Sequence, residues 1–142
     1  MQLIDTFIEK WHVCKDKRYP VMLITPSKSG IFSDTLIDQI AGIMNGKAVD
    51  FAARYQGALE TFLTRNTVQK ELRDLSVSSP ILVSNLEPFY SKWQIAERVD
   101  FLRYMLRTEM VNGIVIVLYC KENLSKIRDV DENNRGTIWA LT

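Results

Sequence analysis

The chain has few of the residues from which metal centres and disulfides are built. Its 142 residues include two cysteines, one histidine and no CxxC pair. Cys14 and Cys120 each lie in an apolar stretch, which favours buried free thiols in a reducing compartment over a disulfide. One histidine, His12, cannot supply the usual ligand set of a zinc site. The sequence therefore predicts no metal site.

Long apolar runs and an excess of charge are also absent. No apolar run approaches the roughly 18 to 20 residues that cross a bilayer, and residues 1–11 carry acids where a signal peptide has its apolar core. Lysine and arginine number 18 against 17 acids, a net charge of +1. No overall field argues for nucleic acid or membrane. We expect a cytoplasmic protein without a membrane partner, for which DNA binding would need a local basic patch.

Length and composition predict a single domain over residues 1–142. Hydrophobic residues make up 46% of the chain, enough to bury a core without disulfides. The domain begins with an amphipathic helix, predicted over about residues 2–17. Its apolar stripe should pack on the protein's own sheet, because soluble proteins rarely leave such stripes exposed. The residues of the stripe are Leu3, Ile4, Phe7, Ile8, Trp11 and Cys14.

Five candidate strands alternate with helical segments. The strands are residues 21–25, 48–51, 81–85, 114–119 and 137–141. Three of them are nearly continuous apolar runs, which is typical of strands covered on both faces. The alternation predicts an α/β fold, a three-layer sandwich with a mostly parallel five-stranded sheet.

Capping residues predict where several helices begin and end. Ser33 or Asp34 should cap the helix after the first strand, and Gly46 should end it at positive φ. Helical spacing continues from residue 51, and Asn66 with Gln69 predicts a fresh start of a helix that runs to residue 75. A second capping-box pattern, Ser91 with Gln94, predicts the next helix. A polar helix is expected over residues 121–128.

The first strand runs into a polar loop with one glycine, in the stretch "VMLITPSKSGIFSD". In open α/β sheets, ligands bind beyond the carboxyl ends of the strands, where this loop lies. The Walker A pattern G-x-x-x-x-G-K-[ST] holds phosphate in such a loop. Aligned on Gly30, the first glycine is replaced by Thr25, the lysine by Ile31 and the hydroxyl residue by Phe32.

Two nearby residues could replace the missing Walker A lysine and hydroxyl, so that the loop would still bind phosphate. Lys28 could reach the phosphates from another point, and Ser33 could supply the hydroxyl one residue late. The alternative is a plain strand-to-helix turn, in which Gly30 gives conformational freedom and Ser33 caps the helix. The candidate phosphate-binding residues are Ser27, Lys28, Ser29, Gly30, Ile31, Phe32 and Ser33.

The stretch "ILVSNLE" stands where a Walker B strand would carry its magnesium aspartate. Asn85 occupies about that position, and an amide cannot supply the charge. Glu87 is the nearby acid, either a candidate catalytic glutamate or a solvated loop residue. Arg135, before the last strand, is a candidate arginine sensor or a loop arginine that keeps the surface soluble. ATP or ADP with magnesium is the candidate cofactor, although rapid hydrolysis is not expected.

The order of these parts resembles that of RecA-like P-loop folds over residues 20–142. In those folds the acidic strand and the next one are inserted beside the first. The leading helix with "TPSKSGIFS", "PILVSNLEPFY" and "NNRGTIWAL" further resembles the small P-loop-type component of bacterial phage-exclusion (BREX) systems, called BrxF.

That resemblance implies a component of an antiviral-defence complex, working beside a larger ATPase, a DNA methyltransferase and a phosphatase-like protein. Because the Walker lysine and aspartate are not found, we expect a P-loop-like adaptor or regulator with a degenerate nucleotide site. Two alternatives stay open. One is an active NTPase that uses Lys28 and Glu87, assembled as a homo-oligomer that borrows Arg135 from a neighbour. The other is a DNA-binding module.

Two surface features bear on partners. Basic residues in three regions, interleaved with acids, favour a solvated mixed face over a DNA surface. Phe89, Tyr90 and Trp93 could anchor a protein partner, or Trp93 could hold the following helix in place. The basic residues are Lys15, Lys17, Arg18, Arg65, Lys70, Arg73, Arg98, Arg103 and Arg107.

Overall fold

The structure, a computed structural model, describes residues 2–26, 32–55, 62–110, 112–133 and 137–141. Helices and strands alternate through these ranges. The helices are α1 (Gln2–Cys14), α2 (Asp34–Ile43), α3 (Phe51–Arg54), α4 (Arg65–Leu75), α5 (Glu87–Tyr90), α6 (Ile95–Leu106) and α7 (Arg128–Asn133), with a 3-10 helix at Lys121–Lys126. The strands are β1 (Val21–Thr25), β2 (Lys47–Asp50), β3 (Ile81–Ser84), β4 (Ile114–Val117) and β5 (Ile138–Ala140).

The five strands form one parallel sheet in the order β2-β3-β4-β1-β5. Val21 of β1 pairs with Ile114 of β4, and Leu23 of β1 pairs with Ile138 of β5. Strand β1 is buried at every position, as its apolar sequence requires. The predicted α/β class and parallel sheet are confirmed.

Helices pack on both faces of the sheet and give three layers. Alternate side chains of each strand point to opposite faces, so the sheet supplies two separate cores. On one face, Met22, Ile24 and Val115 pack with α1 and α2. On the other, Leu23, Val83 and Ile116 are part of the core with residues of α3 to α7.

The connections change direction between β1 and β4. From β1 the chain crosses to β2 at one edge of the sheet, and from β4 it crosses to β5 at the other. The first connection places α2 on one face, and the later connections place their helices on the opposite face. This is the arrangement that a common right-handed crossover produces.

The N-terminal helix covers the sheet of its own chain, as predicted. Phe7, Trp11 and Cys14 are buried in the core that α1 shares with α2, and the rings of Phe7 and Trp11 stack at 6.4 Å. The helix ends at Cys14, three residues before the predicted end, and a turn leads to Pro20. Cys14 and Cys120 are both buried free thiols, as expected.

The turn between α2 and β2 corrects one prediction. Asn45 has the positive φ, 54°, that we assigned to Gly46. Gly46 is needed for another reason, because a Cβ there would overlap the carbonyl oxygen of Pro80 and lie 2.8 Å from its carbonyl carbon. Close packing of two turns, and not backbone conformation, therefore explains this glycine.

Two of the predicted caps are also wrong. Thr64 caps α4, with its side chain accepting a hydrogen bond from the backbone N–H of Thr67, and Asn66 lies inside the helix. Ser91 ends α5 and does not begin α6. Gln94 is the N-cap of α6, without a side-chain hydrogen bond. Ser33 caps α2 as predicted.

Smaller differences concern the element bounds. Strand β2 begins at Lys47, and Phe51 starts the short helix α3, which Asp50 caps. The predicted polar helix is a 3-10 helix followed by α7, which extends into the predicted loop. Residues 56–61, part of the predicted helix that begins at residue 51, lie outside the described residues.

Candidate functional site

A cleft of about 530 Å³ opens at the carboxyl ends of β1, β3 and β4. Pro26 follows β1, Ser84 ends β3, and Val117 ends β4, and all three line it. The chain leaves β1 and β4 in opposite directions, so the cleft lies where open α/β sheets bind their ligands. The position of the cleft therefore follows from the order of the strands and needs no sequence motif.

The described wall residues of the cleft are mostly apolar, and the polar ones are here called the rim. The apolar part consists of Pro26, Phe32, Ile37, Ala52, Pro88, Val117 and the ring of Tyr119, and the polar part consists of Asp34, Ser84, Asn85 and Glu87. Tyr119 is 43% exposed. Such a mixture of apolar walls with a few polar groups is typical of ligand sites.

Glu87 connects two elements of the rim. It is the first residue of α5, and its Oε2 accepts a hydrogen bond of 3.0 Å from the backbone N–H of Tyr119 after β4. The preceding Asn85 has φ 58°, a left-handed conformation that asparagine tolerates better than most residues. The carboxylate therefore holds the segment after β4 against α5. A catalytic role for Glu87 stays a prediction.

A second hydrogen bond joins the end of β1 to the segment after β4. The Oγ1 of Thr25, buried at the end of β1, accepts a hydrogen bond of 3.3 Å from the backbone N–H of Cys120. Burial raises the pKa of the Cys120 thiol to about 12, against the opposing effect of the Thr25 hydrogen bond. The thiol is thus neutral near pH 7 and poorly suited to act as a nucleophile.

The third side of the cleft is the start of α2. The Oγ of Ser33 accepts a hydrogen bond of 3.1 Å from the backbone N–H of Leu36, so its hydroxyl is already used as a cap. Phe32 is half-buried and packs against the core beneath α2. The remaining predicted phosphate-binding residues, Ser27, Lys28, Ser29, Gly30 and Ile31, lie outside the described residues, and so does Arg135.

Asp34 is a wall residue that the sequence did not assign to the site. It opens α2 and lines the same cleft as Glu87. Its position in the sequence could have predicted this. Asp34 directly follows the predicted phosphate loop, and the first turn of the helix after that loop lies at the carboxyl edge of the sheet. Among the described wall residues, two are acids and none is a cation.

Metal clusters and membrane-spanning helices are both absent from the described ranges. No group of three or more histidine, cysteine, aspartate or glutamate residues could hold a metal ion there. Within the same ranges, none of the helices is both long and apolar enough to cross a bilayer.

The basic residues outside the cleft are largely engaged. Arg18 pairs with Glu109 at 2.7 Å. Arg103 pairs with Asp129 at 2.7 Å. Arg98 donates to the backbone carbonyl oxygens of Tyr90 and Ser91. Arg65, Lys70 and Arg107 also pair with acids. These contacts agree with the predicted mixed face.

The aromatic residues before α6 are part of the core. Phe89, Tyr90 and Trp93 are each no more than 3% exposed, and the indole N–H of Trp93 donates to the backbone oxygen of Leu63 at 2.7 Å. Of the two predicted roles, the structure favours that of fixing the turn before α6, and these rings offer no exposed anchor.

No family model matches this chain, and no curated protein sequence does.

Proposed function

We propose that this protein is a P-loop-like adaptor or regulator in a bacterial phage-exclusion complex, with a degenerate nucleotide site and without rapid hydrolysis. The observation that carries the proposal is the charge of the cleft. Among its described wall residues are Asp34 and Glu87 but no lysine or arginine. Phosphoryl transfer needs cations at the phosphates, because negative charge spreads over the transferred group.

The sheet topology supports the P-loop-like part of the proposal. In RecA-like folds the acidic strand and the next one lie beside the first, and here β4 and β3 both lie on one side of β1. The candidate acid, Glu87, follows β3, and the candidate loop follows β1. Both therefore meet at the carboxyl edge, where the cleft opens.

The state of Glu87 supports the adaptor over the NTPase. One carboxylate oxygen of Glu87 accepts a hydrogen bond from the backbone of Tyr119, so the residue has a structural role that needs no catalysis. The hydroxyl of Ser33, the candidate magnesium ligand, is likewise used to cap α2. Nucleotide binding without turnover is compatible with both hydrogen bonds.

The first test is a thermal-shift titration with ATP and ADP, each with and without magnesium, followed by phosphate-release assays. A ligand that binds the folded state raises the melting temperature according to its excess over Kd. The proposal expects weak or no stabilisation and phosphate release at background. Release that is lost in Lys28→Ala and in Glu87→Gln would establish the NTPase instead.

A second test asks whether the loop lysine matters in the cell. In bacteria carrying the phage-exclusion system, deletion of this protein should abolish protection, and Lys28→Ala should restore it as well as the wild type does. Protection lost in Lys28→Ala, with the variant folded and present at normal level, would contradict an adaptor role. Protection that survives the deletion would contradict membership of the complex.

A further inference from the structure

We propose that the cleft at the carboxyl ends of β1, β3 and β4 binds a cationic side chain, an arginine or lysine supplied by a protein partner. This inference rests on the proposed function, since it names the chemistry by which the adaptor would hold its partner. The described walls combine two carboxylates, two aromatic rings and further apolar surface. The guanidinium of an arginine can contact the carboxylates and the aromatic residues, and its aliphatic stem can contact the apolar surface.

The charge of the walls selects the sign of the ligand. Asp34 and Glu87 line one cleft, and the described wall residues include no cation to neutralise them. Glu87 is half-buried, and a carboxylate in such a position attracts a cation more strongly than one in open water because the local dielectric is lower, whereas Asp34 is exposed. The same two charges repel an anion.

The polar rim has the right acceptors for a guanidinium. Carboxylates accept paired hydrogen bonds from arginine, and Asn85 and Ser84 add side-chain oxygens on the same rim. Glu87 is held in position by the backbone N–H of Tyr119, so it is oriented before any ligand arrives. Pre-ordered acceptors lower the entropy lost on binding.

The apolar walls suit the rest of such a side chain. Phe32 and Tyr119 are aromatic wall residues, and arginine stacks favourably on aromatic faces. Ile37, Val117 and Pro88 offer apolar surface for the aliphatic stem. A volume of about 530 Å³ admits a long side chain together with part of its backbone.

The test uses a pair of small probes that differ in charge and hardly in shape, N-acetyl-arginine amide and N-acetyl-citrulline amide. Backbone amide NMR of the full chain should show saturable shifts at Phe32, Asn85 and Tyr119 with the arginine probe, and much smaller ones with citrulline. Asp34→Asn and Glu87→Gln should each raise the Kd of the arginine probe by about three- to tenfold. Asp38→Asn, which removes an exposed charge from the same helix outside the cleft, is the matched control.

Titration with ATP gives the opposite expectation for the same variants. Removing either acid lessens repulsion, so any ATP binding should become tighter in Asp34→Asn and Glu87→Gln. The inference is overturned if citrulline binds as well as arginine, if Asp38→Asn weakens binding as much as Asp34→Asn, or if the shifts lie away from the cleft. It is also overturned if ATP saturates the cleft and the two variants weaken that binding.

The results separate this inference from the proposed function. Absence of arginine binding, with background phosphate release and full protection in Lys28→Ala, would remove the cleft inference and leave the adaptor. Phosphate release that requires Lys28 would remove the adaptor, whatever the arginine probe does.

Discussion

The two ends of the sheet are built in opposite ways. At the amino end, turns pack so closely that side chains are excluded: a Cβ on Gly46 would overlap the carbonyl oxygen of Pro80, and one on Gly113 would lie 3.0 Å from that of Pro20 and overlap Trp11. At the carboxyl end, the strands open into a cleft of about 530 Å³ whose rim carries polar side chains.

The difference separates stability from binding. At the amino end, glycines and prolines allow neighbouring turns to pack closely against each other. The carboxyl end keeps polar side chains in half-buried or exposed positions, and a hydrogen bond to the backbone of Tyr119 fixes one of them, Glu87. Substitutions at the amino end should therefore change folding, and substitutions on the rim should chiefly change binding.

The largest effect is expected at Gly46. Gly46→Ala should lower the free energy of unfolding by about 3 kcal/mol, since its Cβ would displace the backbone of Pro80. The matched control is Gly42→Ala in α2, where a Cβ meets nothing within 4 Å, and which should stabilise by up to about 1 kcal/mol. Urea denaturation measures both. If the two substitutions changed the free energy of unfolding equally, close packing at the amino end would not explain Gly46.

Thr25→Val tests whether a buried hydrogen bond also secures the carboxyl end of the sheet. The change keeps the shape of the side chain but removes the buried acceptor of the Cys120 N–H, so we expect a loss of about 1–3 kcal/mol. Thr25→Ser keeps the acceptor and should lose less. Urea denaturation measures the loss, and hydrogen exchange at Cys120 locates it. A valine variant as stable as the wild type would show that this hydrogen bond does not secure the carboxyl end.

The pH dependence of stability tests the burial of one cysteine at each end of the sheet. Burial raises the pKa of Cys14, at the amino end, to about 11 and that of Cys120, at the carboxyl end, to about 12. The unfolded chain loses these protons near the ordinary value of 9.0 and the folded chain keeps them, so stability is full below that pH and falls above it. The loss is about 1.4 kcal/mol per pH unit for each thiol, and it continues to higher pH for Cys120.

Unfolding free energies measured between about pH 8 and pH 10.5 check this slope. Cys14→Ala and Cys120→Ala should each flatten it relative to the wild type, whatever they do to stability at neutral pH. If both variants keep the slope of the wild type, the thiols are not buried as described.

The smallest effect is expected at the cap on the rim. Ser33→Ala removes the acceptor of the Leu36 N–H and should cost about 1 kcal/mol. Ser33→Asp keeps an acceptor at the N-cap and should cost less. Thermal unfolding of the three proteins gives the order. If the alanine variant matches the wild type, the hydroxyl is available for another role, such as the phosphate contact predicted from the sequence.

The elements of this fold that the sequence predicts well are the ones bounded by local signals. Strand β1 was predicted without error because an apolar run follows Pro20 and meets a polar loop. The capping box at Ser91 failed because the turn is held by Trp93, whose N–H bonds to Leu63 far along the chain. Local residue types cannot report such a distant contact.

For the candidate site, the sequence predicted the edge of the sheet and part of the wall. The rule that ligands bind beyond the carboxyl ends of strands located the cleft, and Glu87 lies in it. Asp34 was considered only as a cap, because its distance from Glu87 in the sequence hides that both line one cavity. The loop residues 27–31 and Arg135 stay predictions.

The position of β1 between β4 and β5 has a consequence for how the chain is made. Its neighbours β4 and β5 both come later, and Thr25 meets Cys120 across 95 positions of sequence. On the ribosome, β2 and β3 can pair as they emerge, while β1 must wait for β4. We therefore expect arrested chains that end after β3 to be cleaved by protease within β1, and chains that include β5 to resist. Protection of β1 in the shorter chains would show that another partner holds it while synthesis continues.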